Sequence, residues 1–213
     1  MKTYKIKIPE DTEKIPGCAF DSVLNAEVSF FENIANLKPI KTVTLFDFLQ
    51  NTDYKTEVLR LRAINDEIRI SQQKIRLPAI TPAGVFLCRT EADFGNNFVK
   101  SSGFLAFDLD YKLNRGIVNF PDLKEQISHL PFIAYCGLSV SGRGFWGLVP
   151  IAPYQSDIRR EFMQNCNALF EVFASHHIYL DAGCHRITHT RTISYDPDAY
   201  FNHNAKTFQG LYR

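Results

Sequence analysis

The chain has 213 residues, of which 45% are hydrophobic and 22% charged, a composition typical of a folded globular protein rather than a disordered one. Because 24 Lys and Arg residues nearly balance 23 Asp and Glu residues, the formal net charge of +1 excludes a protein that binds polyanions through its overall field. No apolar run reaches about 18 residues, and the start MKTYKIKIPEDTEK lacks the apolar core of a secretory signal. We therefore expect no membrane span, and any polyanion site must be local.

At this length one domain covering residues 1–213 is expected. The cysteines are odd in number and form no Cys-x-x-Cys pair, which favours reduced thiols in a cytoplasmic protein over a disulfide framework. They are Cys18, Cys88, Cys136, Cys166 and Cys184.

The first predicted element is an amphipathic helix over residues 53–73. Its apolar residues recur at helical spacing, at Val58, Leu61, Ile64 and Ile68. The other face is basic, since residues 55–76 contain six Lys and Arg residues against three Asp and Glu residues. Such a face is either merely solvated or a local site for a polyanion.

Strands alternate with helices in the rest of the chain. The clearest element is a β-hairpin over residues 131–152, where two apolar runs flank the sequence Ser-Gly-Arg-Gly. The other predicted elements are strands at 85–87, 104–110 and 178–181, a helix at 154–177 and a turn at 195–198.

Two carboxylates lie on one face of the predicted strand 104–110. Side chains alternate along a strand, so Asp108 and Asp110 share one face while the apolar side chains between them point to the other. Their Cα atoms would lie about 7 Å apart, which lets both carboxylates converge on a divalent metal ion. Alternatively, both residues simply begin a polar turn.

A third carboxylate, Asp181, ends the short strand at 178–181. The helix before this strand is long enough to cross a sheet, so the two strand ends could meet. Two or three acids plus a substrate phosphate are what metal-dependent phosphoryl transfer requires. The alternative is that Asp181 caps a turn beside Gly183.

The hairpin turn is a candidate phosphate site. Gly142 and Gly144 let backbone N–H groups approach an anion, and Ser139, Ser141 and Arg143 add donors. The turn is not a Walker A loop, because no G-x-x-x-x-G-K-[ST] sequence occurs in the chain. Ser and Gly are also common in hairpin turns for their geometry alone.

Residues 181–191 leave further alternatives open. The guanidinium of Arg191 matches phosphate geometry, but it could equally form a surface ion pair. Cys184, His185 and His189 could form a zinc site with Asp181, although the residue pairing typical of zinc is only partly present. The sequence FDLD alone also suggests an aspartyl-nucleophile phosphatase, which requires a parallel sheet.

The order of these motifs resembles the archaeo-eukaryotic primase superfamily, the primase-polymerases. The segments LPAITPAGVF, FLAFDLD, LSVSGRGFWGLVPI and ISYDPDAYFN are similar to the VirE N-terminal, primase-like family of bacterial mobile elements, over about residues 74–204. The resemblance implies an α+β fold, in which an RRM-like antiparallel sheet has helices on one face and the acids on its open face. An N-terminal α/β lobe would cover about residues 1–100, and the catalytic lobe about 101–213.

The resemblance also implies roles for individual residues. Asp108, Asp110 and Asp181 would be catalytic and bind Mg²⁺ or Mn²⁺, and cations would contact the backbone of a single-stranded DNA template. The nucleoside triphosphate would be bound by Ser139, Ser141, Gly142, Arg143, Gly144 and Arg191. The template would be bound by Arg62, Lys74 and Arg76.

The family pattern has a basic residue in the second motif, where this chain has Trp146. The resemblance therefore supports two functions. One is a DNA primase or polymerase that replicates a mobile element. The other is an inactive domain that binds nucleic acid or nucleotides and works with a helicase domain or subunit.

Overall fold

The computed structural model describes residues 22–210, which form a mixed α+β fold. The strands in this range are β1 (Glu27–Phe31), β2 (Lys41–Thr44), β3 (Ala79–Thr81), β4 (Gly84–Phe86), β5 (Phe98–Ser101), β6 (Phe104–Asp110), β7 (Tyr135–Leu138), β8 (Gly144–Pro150), β9 (Arg191–Thr192) and β10 (Tyr200–Phe201). The helices are α1 (Leu45–Leu49), α2 (Lys55–Arg62), α3 (Glu67–Lys74), α4 (Phe94–Asn97), α5 (Phe120–Ser128) and α6 (Ile158–Ala174). No helix in the described range is long and apolar enough to cross a membrane. Cys18 lies outside that range.

The second half of the chain builds an antiparallel sheet in the order β10-β7-β8-β6. Helix α5 connects β6 to β7, and α6 follows β8. The predicted strand at 178–181 forms no ladder, but it lies beside β6, where the Asp181 N–H donates to the Asp108 carbonyl at 2.8 Å. The sequence β-α-β-β-α followed by an extended segment beside the first strand is the connectivity expected of an RRM-like sheet. Because the sheet is antiparallel, the phosphatase alternative loses its structural basis.

Helices cover one face of this sheet. Leu105, Phe107 and Leu109 of β6 are fully buried on this face, and they pack in one core with side chains of α5 and α6. Burial of each such side chain stabilises the fold by about 1.5–3 kcal/mol. The strict alternation of β6 therefore arises because one face is a continuous core.

The opposite face is also covered, which corrects the expectation of an open face. Phe104, Trp146 and Leu148 are at most 3% exposed and pack with residues of α2 and of a second sheet. That sheet has the order β2-β1-β3-β9. Its last strand comes from residues 191–192, so the two lobes interleave across the predicted boundary near residue 100.

The helix predicted over residues 53–73 is two helices, α2 and α3. The second helix starts after Asp66, whose carboxylate caps α3 by accepting hydrogen bonds from the N–H groups of Ile68 and Arg69, at 2.9 and 3.2 Å. As a result Ile68 is 71% exposed, and Ile70 is the buried residue of α3. The second predicted helix forms, but it begins after Asp157, whose side chain caps α6.

Candidate functional site

A cavity of about 210 Å³ lies where the two lobes meet. β6, the 178–181 segment, α3 and β9 each contribute to its wall. The residues predicted from sequence that line it are Lys74, Asp108, Ser139, Asp181 and Arg191. The cavity thus combines carboxylates, cations and hydroxyl groups.

Asp108 and Asp181 come from segments that hydrogen-bond through their backbones. Asp108 pairs with Trp146 across β6 and β8, and its carbonyl accepts the Asp181 N–H. The Asp181 carboxylate also accepts the Gly183 N–H at 2.7 Å, which caps the short 3-10 helix Ala182–His185. The two strand ends therefore meet, and the capping role weighed for Asp181 is present as well.

Arg191 is the closest partner of Asp108. Its Nη1 donates to Asp108 Oδ2 at 2.8 Å, and its Nη2 donates to Cys184 Sγ at 2.6 Å. The Arg191 side chain is only 8% exposed, and its Nε has no hydrogen-bond partner among residues 22–210. Burial raises the pKa of the Asp108 carboxyl, Arg191 opposes that rise, and the charges of Asp181 and Asp110 add to it. Arg191 thus forms an internal ion pair with Asp108, not a surface ion pair.

Asp110 lies at the end of β6, outside the cavity lining. Its carboxylate accepts the Lys112 N–H at 3.0 Å and caps a short 3-10 helix, Tyr111–Leu113. Within the described range, no three His, Cys, Asp or Glu side chains form a group that could hold a metal ion. Cys184, one residue of the zinc alternative, instead accepts a hydrogen bond from Arg191.

Asn114 joins the two acid-bearing segments, a role that the sequence analysis missed. Its Nδ2 donates to the carbonyls of Asp110 and Tyr179, at 3.0 and 2.8 Å. Its Oδ1 accepts the Tyr179 N–H at 2.8 Å. The residue is only 3% exposed, and both polar atoms of its side chain serve this contact.

The hairpin turn contributes only Ser139 and Val140 to the lining of this cavity. Arg143 pairs instead with Glu67 of α3 at 2.9 Å. The glycines serve backbone geometry: Gly142 has a φ of +67°, and a Cβ on Gly144 would lie 2.5 Å from the Leu109 carbonyl oxygen. Ser141 bonds Ser139 through their hydroxyls, at 3.2 Å. Backbone geometry and contacts within the protein therefore account for most residues of the turn.

The basic residues separate into three environments. Lys74 faces the cavity, and Arg76 lines a groove between α2 and α3. Arg62 is half-buried, and its guanidinium donates to the carbonyls of Ser139, Val140 and Tyr195 and to the Ser194 hydroxyl. Burial lowers the pKa of Arg62. Its position gives it a structural role and does not suit the predicted template contact.

His189 lines the cavity, although the sequence suggested it only as a zinc ligand. Burial is the main reason that its pKa is lowered to about 4, and the charges of Arg191 and Arg186 act in the same direction. His189 is therefore neutral at neutral pH. Trp146 also lines the cavity, but it is only 3% exposed and packs against Tyr135 with ring centroids 4.9 Å apart.

Comparison with known proteins identifies one family. A family model described as BT4734-like, N-terminal domain, matches residues 72–201, which are 130 of the 213 residues. This range contains every residue that lines the cavity except Ile34. Searches of curated proteins and of solved structures find no match. The chain belongs to the BT4734-like N-terminal domain family.

Proposed function

We propose that this protein is a DNA primase or polymerase domain that transfers nucleotides on single-stranded DNA during replication of a mobile element. One observation carries the proposal: Asp108 and Asp181, from segments 73 residues apart in sequence, line one cavity with Lys74, Arg191 and Ser139. The resemblance to primase-polymerases in motif order supports the same reaction. The four described cysteines are free thiols, which supports a cytoplasmic location.

The carboxylates suit a metal ion that arrives with a nucleotide. Mg²⁺ is usually held by one or two carboxylates together with substrate phosphates, rather than by a complete protein cage. Asp108 and Asp181 supply two carboxylates, and Asp110 follows on the same strand face. When bound, Mg²⁺ or Mn²⁺ supplies charge neutralisation at the transferring phosphate and lowers the pKa of the attacking 3′-hydroxyl.

The remaining lining residues suit the phosphates of the nucleotide. Lys74 and Arg191 are cations in the same cavity, and the Ser139 hydroxyl adds a donor. Arg191 also neutralises Asp108 before substrate binds, because its Nη1 hydrogen-bonds that carboxylate. Template phosphates bind outside the cavity, and a helicase domain or subunit is the expected partner.

Primer extension and de novo priming on single-stranded DNA with Mn²⁺ test the proposal. Asp181→Asn keeps the acceptor for the Gly183 N–H but removes the charge, so the local structure is retained. We expect it to lower product formation by at least about 100-fold, because metal coordination contributes several kcal/mol to such a reaction. An Asp108→Asn, Asp110→Asn double variant should have the same effect.

Asp157→Asn is the matched control. Asp157 caps α6 through the Arg160 N–H, as Asp181 caps its own short helix, but it does not line the cavity. The control should retain full activity. Product formation by Asp181→Asn at the wild-type rate would refute the assignment of the acids.

A second function, nucleic-acid or nucleotide binding without catalysis, is favoured by two observations. Arg191 already occupies an oxygen of Asp108, and the buried Trp146 stands where related motifs carry a basic residue. This function predicts binding of single-stranded DNA in EDTA and no product with either metal. Metal-dependent product would exclude it.

A further inference from the structure

A groove of about 640 Å³ runs between α2 and α3. Four polar residues of α3 and its C-terminal end line it, namely Arg69, Gln72, Gln73 and Arg76. These positions follow the helical spacing i, i+3, i+4 and i+7, so their side chains form one polar stripe. The groove is therefore a built feature of the helix pair rather than a set of scattered surface residues.

The cations of this stripe are available for a ligand. Arg60 of α2 is bound to Glu57 and to Gln73, which ties the two helices together. Arg69 and Arg76 also line the groove, but no ion pair involves either of them in the part of the chain that the structure describes. Two acids, Glu57 and Asp66, also line the groove, so its three Arg residues leave a local excess of positive charge in a protein whose formal net charge is only +1.

Helix α3 separates this groove from the acidic cavity. Gln73 lines the groove, whereas Lys74, about 100° further round the helix, lines the cavity with Asp108. The effect of Lys74 on the Asp108 pKa, which it lowers, also indicates that the two side chains are close. A bound polyanion that runs along α3 from the groove therefore passes a third cation, Lys74, before it reaches the carboxylates.

We propose that the α2–α3 groove binds the phosphate backbone of single-stranded nucleic acid and leads that strand to the acidic cavity. This inference rests on the proposed function and specifies the path of its substrate. Arg69 and Arg76 bind phosphates, and the exposed Ile68 beside them offers apolar surface to sugars or bases. A single strand is the expected occupant, because it must lead to carboxylates that line a cavity of only about 210 Å³.

Fluorescence anisotropy of a labelled oligothymidylate, measured in EDTA over a series of KCl concentrations, tests this path. The test variant is Arg69→Gln with Arg76→Gln, which keeps a polar side chain at each position and removes both charges. The control is Lys38→Gln with Arg160→Gln, since both are exposed cations that line neither the groove nor the cavity. Thermal unfolding of each variant verifies that the fold is retained.

The wild type and the control should bind the oligonucleotide alike. Removing two phosphate contacts should weaken binding by roughly tenfold or more at about 0.1 M salt and make the salt slope shallower by about 1.4. Three results would each overturn the proposed role of the groove. They are equal binding by the test variant and the wild type, equal weakening in the control, and no binding by the wild type.

The same samples separate this inference from the proposed function. Primer extension by the wild type, together with unchanged oligonucleotide binding by the Arg69 and Arg76 variant, would overturn the groove and leave the acidic site standing. Weakened binding by this variant, in a protein that forms no product with Mn²⁺, would support the groove and overturn the proposed reaction.

Discussion

At the scale of single residues, Asn114 has the most specific role outside the cavity. It is 3% exposed and makes three hydrogen bonds to the backbones of Asp110 and Tyr179. Asn114→Ala leaves those buried groups without partners, and each costs about 1–3 kcal/mol. We expect the free energy of unfolding, measured with urea, to fall by roughly 2–4 kcal/mol.

Asn167 offers a matched control for Asn114. It lies on the exposed side of α6, where its Oδ1 bonds the His185 ring. Asn167→Ala should change stability by no more than about 0.5 kcal/mol, as is usual for exposed positions. Equal effects of the two substitutions would show that Asn114 does not hold the acid-bearing segments together.

At the scale of elements, Asp66 caps the start of α3 after the break that follows α2, and it lines the groove. Its carboxylate accepts the N–H groups of Ile68 and Arg69. Asp66→Ala should lower the unfolding free energy by about 1 kcal/mol, whereas Asp66→Asn retains the acceptor and should cost much less. Urea unfolding distinguishes the two, and a loss with Asn as large as that with Ala would exclude a capping role.

The elements that the sequence predicted well are those whose pattern reflects one local environment. β6 alternates because one of its faces lies in a continuous core. β8 is apolar throughout because its two faces lie in two different cores. β9, only two residues long, could not be predicted because it exists through pairing with β3, more than 100 residues earlier. The helix break at Asp66 was missed because a capping carboxylate resembles any other surface acid.

The same distinction applies to the candidate site. The meeting of Asp108 and Asp181 followed from an extended segment that lies beside the end of β6. The parts played by Asn114 and His189 depend on loops that fold back onto those strands, and no periodic pattern reports such contacts. The burial of Arg62 likewise follows from the turn at Ser139 and Val140, which lies far from it in sequence.

At the scale of the whole molecule, the interleaved lobes enclose a cavity that couples stability to pH. The pKa of His189 is lowered from 6.5 in the unfolded chain to about 4 by burial and by Arg191 and Arg186, which Asp181 only partly offsets. The unfolded state therefore binds a proton that the folded state does not. This contribution is fully present above about pH 6.5 and is lost progressively as the pH falls towards 4.

The opposite sign applies to Asp108, whose pKa is raised in the folded state. Its contribution to stability is largest below its ordinary pKa of 3.8 and becomes smaller as the pH rises through its pKa in the folded state.

The contributions of His189 and Asp108 can therefore be separated by substitution. Between about pH 7 and pH 4.5, His189 should account for roughly 2–3 kcal/mol of lost stability, and His189→Gln should remove that part. Urea unfolding in EDTA at both pH values measures it. His176→Gln, at an exposed position after α6, should leave the wild-type slope unchanged. If His189→Gln keeps the full slope, the acid sensitivity arises elsewhere and the imidazole of His189 is not held neutral in the cavity.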